Sequence, residues 1–265
     1  PILALGADLS TDQRAAVLGL LGVDESDLAN YDVISITNAD EHEYLDKYLD
    51  ASIIGTRALS SVLVVGKEAG NGIHVTTKNI SYCTEGMYRN ALLTAGIEDA
   101  DITVAGPFSI SGTAALVGAI KAYETMTGEE IDDENLDAAN DELVLTGKLV
   151  EDIGDSEKAE DLMALVKQEV AENKLTSAED IQNVVDQACD QLDIQLSEEN
   201  QKQIAELMKK IEGLDLDVDK LKDQAKDLYQ KLENLDFHVD KESVGNFFTR
   251  IIDAIVKFFQ GLFGK

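Results

Sequence analysis

The stretch Ala58-Leu59-Ser60-Ser61-Val62-Leu63-Val64-Val65, followed by Gly70-Asn71-Gly72 and the alternating Ile73, Val75 and Thr77, decides the fold class of the first half of the chain. β-Branched residues crowd the first run, and the second alternates with the period of two expected of a strand with one buried face. The glycine-rich turn between them predicts a β-hairpin with a somewhat long loop. Upstream, Ser10-Thr11-Asp12-Gln13 is a Ser-x-x-Gln capping box ahead of Ala15, Val17, Leu18 and Leu21, a helix that Gly22 ends. The run Val33-Ile34-Ser35-Ile36 predicts a buried strand, and Asn38-x-x-Glu41 predicts the cap of a second helix carrying Tyr44, Leu45 and Tyr48.

Downstream of the hairpin, a helix over about 84–94 stops at Gly96, and a strand covers 102–105. Pro107 interrupts before a helix over about 112–123. The element order is therefore α-β-α-β-β-α-β-α. Its inner β-α-β-β-α-β matches the split βαβ pattern, so the class is α+β, with a four-stranded sheet and helices packed on it.

Composition shifts near residue 127. Residues 1–126 carry 7 basic and 17 acidic side chains, net −10, whereas 127–243 carry 12 and 34, net −22. The last 22 residues carry 3 and 1, net +2. Strand signals also vanish after Pro107, and from about Gly128 apolar positions such as Leu162, Leu165, Val166 and Val170 recur at helical spacing. Three regions result: an α/β domain over 1–127, an acidic all-helical region over 128–243, and a Phe-rich amphipathic helix over 244–265.

A formal charge of −30, from 52 acidic and 22 basic residues, argues against nucleic acid as a partner, because phosphate binding depends on Lys and Arg. Such a charge favours solubility and attracts divalent cations or basic partners. No run of about 18 consecutive apolar residues predicts a membrane span. The chain starts at Pro1, without Met, and reads as a processed or trimmed chain whose targeting segment, if any, has been removed. Cys83 and Cys189, the two cysteines, leave open one disulfide or two buried thiols.

In the helical region, Leu192-Asp193-Ile194-Gln195-Leu196-Ser197, Leu214-Asp215-Leu216-Asp217-Val218-Asp219 and Leu235-Asp236-Phe237-His238-Val239-Asp240 share one pattern. Each precedes a helix, and Ser197, Asp219 and Asp240 stand where an N-cap is wanted. Asp215, Asp217 and Asp219 imitate the first ligands of a calcium loop, yet Lys220 occupies the place of its turn glycine and Lys226 that of its bidentate Glu. Together with the acidic run Glu129, Glu130, Asp132, Asp133 and Glu134, they predict at most weak divalent-cation binding, and a solvated helix start explains that run.

His42-Glu43-Tyr44-Leu45-Asp46 begins like a zinc-protease helix, but Asp46 replaces the second His, so a surface helix turn is expected. Ser111-Gly112-Thr113 could present backbone N–H groups to an anion or simply cap a helix. No Walker loop, dinucleotide fingerprint, nucleophile elbow or Cys-x-x-Cys pair occurs. No catalytic residue, cofactor or metal ligand is therefore assigned.

The strongest functional feature lies in 244–265. Phe247, Phe248, Ile251, Ile252, Ile255, Phe258, Phe259, Leu262 and Phe263 recur at helical spacing, opposite Asn246, Arg250, Asp253, Lys257 and Gln260. A face of this kind lies in a membrane interface, docks into a partner's groove, or folds back to complete a core.

Three segments carry a family resemblance: Leu5-Gly6-Ala7-Asp8-Leu9-Ser10, the run over 87–97 (Met-Tyr-Arg-Asn-Ala-Leu-Leu-Thr-Ala-Gly-Ile), and the run over 107–116 (Pro-Phe-Ser-Ile-Ser-Gly-Thr-Ala-Ala-Leu). They resemble the YpuA-like family of uncharacterised extracellular proteins of Gram-positive bacteria, over most of the chain. The resemblance implies secretion through a cleaved signal peptide and supplies no activity and no site residue. The expectation is a non-enzymatic envelope protein held to the membrane surface or an envelope protein by its terminal helix. A wall-directed hydrolase using carboxylates and a structural oligomer subunit are the alternatives.

Overall fold

The computed structural model describes residues 1–214 and 216–222. One compact unit spans Pro1–Leu228, and the fold of its described residues is as follows.

Five strands form one mixed sheet: β1 (Ile2–Gly6), β2 (Asp32–Ile36), β3 (Ser61–Gly66), β4 (Ile73–Ile80) and β5 (Ala100–Ile110), in the order β2-β1-β3-β5-β4. β1 pairs parallel with β2 and β4 parallel with β5, while β3 runs antiparallel to both of its neighbours, β1 and β5. The α+β class holds and the expected elements occur in their expected order, but one further strand, β1, precedes them and a short helix is inserted before β3, so the sheet has five strands and not the expected four. The strand pairing differs from expectation in two ways. The two strands around Gly70-Asn71-Gly72 do not form a hairpin, because β5 lies between them. The strand that interrupts parallel order is β3, which separates two parallel pairs rather than sitting inside a βαβ unit.

β1 is buried along its whole length, and its side chains serve two cores with the period of a strand. Ile2 and Ala4 join Val62, Val64, Ile102 and Val104 beneath α4 (Glu85–Thr94) and α5 (Thr113–Thr127). Leu3 and Leu5 face the other way, onto Val17, Leu18 and Leu21 of α1 (Thr11–Leu21). At Gly118, α5 lies so close to the sheet that a Cβ would stand 2.9 Å from Ala4 Cβ and 3.0 Å from Val62 Cγ1.

The Ser10 capping box and the Gly22 stop of α1 stand as read. The next cap shifts by one residue: Thr37 accepts from Asp40 N–H and the Asp40 carboxylate accepts from Thr37 N–H, ahead of α2 (Asn38–Leu45). β2 is the outer strand, mostly exposed with Val33 45% accessible, so its apolar run is an edge and not a buried strand. After α2 a short helix, α3 (Ala51–Ile54), leads back to the sheet. Pro107 lies within β5 without breaking it, because β3 pairs only with Ala100 to Ala105 and no β3 ladder bond is needed at 107.

Four further helices cover the α4 side: α6 (Asp133–Ile153), α7 (Ser156–Asn173), α8 (Ala178–Leu192) and α9 (Glu198–Glu212). α6 and α7 pack on α4, and α7 also touches α8 and α9. Ala139 and Leu143 of α6 belong to the same buried cluster as the sheet residues, as does Leu221. The connectors between α7, α8 and α9 are alike because each helix ends on a left-handed residue, Lys174 or Asp193, with Leu175 or Ile194 next in the chain bonding back to the last turn. Ser197 caps α9 as read. At the following helical turn the cap is Asp217, two residues before the expected Asp219: its Oδ1 accepts from the N–H of Asp219 and Lys220.

That turn returns to the α/β part. Lys220 donates to Asp99, whose other carboxylate oxygen accepts from the N–H groups of Gly70 and Gly72. One carboxylate thus shapes the glycine turn between β3 and β4 and holds the last described helix against it.

Candidate functional site

The three segments that carry the family resemblance meet through the start of β3 and the start of α5. In β1, Gly6 N–H donates to Ser61 Oγ at 3.0 Å, and Asp8 Oδ2 accepts from Ala58 N–H at 2.8 Å. From α4, Tyr88 Oη donates to the Gly112 carbonyl at 2.6 Å. Ser60 Oγ accepts from Ala115 N–H at 2.9 Å. Neighbouring serines, Ser60 just before β3 and Ser61 at its first position, therefore reach the third and first segments, and the tyrosine of the second segment closes on the third.

Gly112 precedes α5 with φ +98, and no side chain adjacent in sequence caps the helix. Its first turn is satisfied from elsewhere in the fold. Ser60 takes the Ala115 N–H, and Thr113 Oγ1 donates to the Glu41 carboxylate at 2.7 Å, which also accepts from Asn38 Nδ2 at 3.1 Å. Glu41 is 1% exposed. Burial pushes its carboxyl above the usual range, and the Thr113 and Asn38 bonds offset this only in part. A carboxyl against a helix N-terminus meets the positive end of the helix dipole, which favours its ionised form in the same partial way.

Beside Glu41, the fully buried thiol of Cys83 is pushed up to about 12 by its burial, and burial also raises the Tyr88 phenol well above its usual value. A thiol held protonated near neutral pH is not a nucleophile. Cys83 and Cys189 are both free and buried, and burial pushes Cys189 up to about 11. At the helix start that follows Ser111-Gly112-Thr113, the Ala115 N–H is occupied by Ser60, and Thr113 is buried. This arrangement works as a clamp that fixes β1, β3, α4 and α5 to one another, not as an open anion cradle.

A second buried polar set binds the helical layer to α4. Lys167 of α7 and Glu142 of α6 are both fully buried, and Lys167 Nζ lies 3.0 Å from Glu142 Oε1 and 3.2 Å from Oε2. Only the Oε2 contact has hydrogen-bond geometry, so Oε1 is held by charge alone. Lys167 also donates to the Asn90 carbonyl at 2.9 Å and to Thr94 Oγ1 at 3.2 Å, while Thr94 Oγ1 donates to Glu142. Desolvation pulls the Lys167 amine down and pushes the Glu142 carboxyl up, and their mutual attraction opposes both shifts. Asn90 and Thr94 belong to the second resemblance segment, which thereby anchors both the sheet side and the helical side.

His42 lies on the surface, with Nδ1 2.6 Å from Asp46 Oδ1, and Asp46 raises its titration. It is the surface turn read from the sequence. Among the described residues no three His, Cys, Asp or Glu side chains gather where they could hold a metal ion, and no helix is long and apolar enough to cross a membrane. Asp215 of the calcium-like run and the third connector over 235–240 lie outside the described residues, as does the whole Phe face: Phe247, Phe248, Ile251, Ile252, Ile255, Phe258, Phe259, Leu262 and Phe263.

Sequence reasoning read Glu41 only as part of a helix cap and Ser60 only as part of a strand run, and passed over Glu142 and Lys167. Ser60 caps a helix 55 positions away, a relation with no local sign. Lys167 did have one: Leu162-Met163-Ala164-Leu165-Val166 immediately before it is apolar on every side of a helix, the mark of a helix buried all round.

The family model described as a protein of unknown function (DUF1002) matches residues 5–228. The "Uncharacterized protein YpuA" of Bacillus subtilis (strain 168) is 39% identical over 264 residues, covering 98% of this chain and 89% of that relative. No solved structure gives a significant match. The match to the family model ends at Leu228, the same residue at which the first compact unit ends. With most of its length matched by that model, the chain belongs to the DUF1002 family and is a relative of the Bacillus YpuA protein.

Proposed function

We propose that this chain is a non-enzymatic extracellular protein of the Gram-positive cell envelope. Its acidic body binds a partner, and its terminal segment 244–265 attaches it to the membrane surface. The observation that carries this reading is the placement of phenylalanine: five of the seven lie in the last 22 residues, in the one region of net positive charge. The acidic helices before it contain few aromatic residues to pack against so many Phe, and described apolar side chains of those helices such as Leu162, Leu165, Val185 and Met208 are already buried.

The non-enzymatic part is supported by the state of the buried carboxyls. A hydrolase working through two acids needs both open to a common cleft at separated pKa values. Glu41 and Glu142 have raised titrations, yet each is buried and engaged by donors of its own protein, Thr113 and Asn38 for one, Lys167 and Thr94 for the other.

Attachment would insert the Phe face into the interface with Arg250 and Lys257 at headgroup level, the acidic body held away from an anionic surface. Each buried Phe contributes on the order of 1.5 to 3 kcal/mol. The double variant Phe248→Asp, Phe259→Asp is therefore expected to lose co-sedimentation with anionic lipid vesicles while the thermal unfolding of the body is unchanged. A double variant that pellets with vesicles like the parent chain contradicts the proposal.

A further inference from the structure

The two edges of the sheet are treated differently. At the β4 edge, Thr77 N–H is taken by the Glu85 side chain at 2.8 Å, Asn79 adopts φ +60, and the ladder to β5 shifts register between Lys78 and Ile80. A side-chain cap, a kink and a lysine are the usual means of keeping another strand from adding to an edge. β2 has none of these. Asp32 N–H donates to the Pro1 carbonyl, and the Ile36 carbonyl accepts from Ala7 N–H, so residues 32, 34 and 36 face β1. By the alternation of a strand, the N–H and C=O of Val33 and Ser35 point outward, and among the described residues nothing bonds to them.

The surroundings state what would fit. Ile34 and Ile36 turn toward the α5 side, where a shallow groove runs between β2 and Lys121, Glu124 and Glu130. Lys121 is already paired with Asp40 and lies over the Tyr44 ring, 5.3 Å from its centre. Burial first, then the charges of Glu124, Glu43, Asp40 and Glu130, push the Tyr44 phenol upward, and of these carboxylates Glu124 and Glu130 line the groove beside the edge. On the opposite side of the strand Val33 is exposed.

We infer that β2 is a docking edge for an extended peptide segment of a partner protein, which adds as a sixth strand with basic side chains toward Glu124 and Glu130 and apolar side chains toward Val33. Main-chain bonds to Val33 and Ser35 would supply the affinity, and the two faces of the added strand the selectivity. A second copy of this chain fits less well, because each copy brings the same carboxylates to the edge. The inference does not depend on how the terminal segment attaches, since the peptide is offered in solution without vesicles.

The test follows amide hydrogen exchange of the full chain with acetyl-Lys-Val-Lys-Val-Lys-Val-amide. Exchange at Val33 and Ser35 is expected to slow by roughly tenfold or more on saturation, as an edge amide becomes a ladder amide. The Glu-Val counterpart, and a Lys-Pro peptide of equal charge but without the valine N–H groups, are expected to leave both amides unprotected. Ser35→Pro removes an outward N–H without touching the β1 ladder, and Val33→Lys adds a guarding charge; each should abolish protection by the Lys-Val peptide. Should Ser35→Pro fail to fold, Val33→Lys carries that part alone. Equal protection by the Lys-Pro peptide, protection spread over other acidic surfaces, or a doubled mass with Val33 and Ser35 protected before any peptide is added would each overturn the inference.

Discussion

Replacing Lys167 with Met is expected to lower the unfolding free energy by about 3–5 kcal/mol, the range for removing one partner of a fully buried ion pair. The loss of the ammonium leaves the Glu142 carboxylate in the interior with Thr94 as its one remaining hydrogen-bond donor, and the Asn90 carbonyl loses its Lys167 donor too. Methionine matches the lysine stem in shape, so packing changes little and the effect is chiefly electrostatic. The double variant Lys167→Met, Glu142→Met should recover most of the loss, because a buried ion pair replaced whole by apolar side chains is close to neutral. Urea unfolding of the three variants reads both quantities. A single variant within about 1 kcal/mol of the parent would mean that Glu142 simply takes up a proton at no cost, and that the pair does not tie α6 and α7 to α4.

Gly112→Ala is expected to destabilise by about 2–5 kcal/mol, through two effects that add. A left-handed residue with a Cβ costs roughly 1–2 kcal/mol. At φ +98 the new Cβ would also stand 2.7 Å from Tyr88 Oη and 2.8 Å from Ile80 Cγ2, inside the clamp, and overpacking of that kind costs about 1–3 kcal/mol more. Gly128→Ala separates the two effects, since Gly128 ends α5 at φ +75 with nothing within 4 Å of an added Cβ. It should cost about 1–2 kcal/mol. Equal losses at the two positions, read as urea midpoints, would mean that the contact with Tyr88 contributes nothing.

The parts of this fold that the sequence announces are those governed by neighbours in the chain. Ser10 and Gln13 form their reciprocal cap because the partners are three residues apart, and Gly22 and Gly96 stop helices for reasons contained in their own backbone. β1 was hidden because Ile-Leu-Ala-Leu-Gly is short and holds one β-branched residue, so local propensity does not favour a strand; burial on both faces makes it one. The turn at Gly70-Asn71-Gly72 is real, but which strand comes to lie beside β3 is settled by β5, thirty residues later. The exposure of β2 was equally hidden, since an apolar run looks the same at the centre of a sheet and at its edge.

The candidate site shows the same division. The three resemblance segments are visible in the sequence, whereas their convergence depends on Ser60 and Ser61, two serines in a run of apolar residues that gave no hint of reaching α5 and β1. Glu41 was visible only as a presumed cap partner of Asn38. It does bond Asn38, but from the interior, where its other carboxylate oxygen accepts from Thr113, 72 positions on.

The most direct test of the proposed attachment uses the absence of tryptophan from this chain. Phe258→Trp places a single indole on the Phe face, and its emission is recorded with and without anionic lipid vesicles. The account predicts a water-exposed spectrum in buffer that moves to the blue and resists aqueous quenchers when vesicles are added. An indole already blue-shifted and protected in buffer, and unchanged by vesicles, would mean that the face is covered by protein, and would contradict membrane attachment through it.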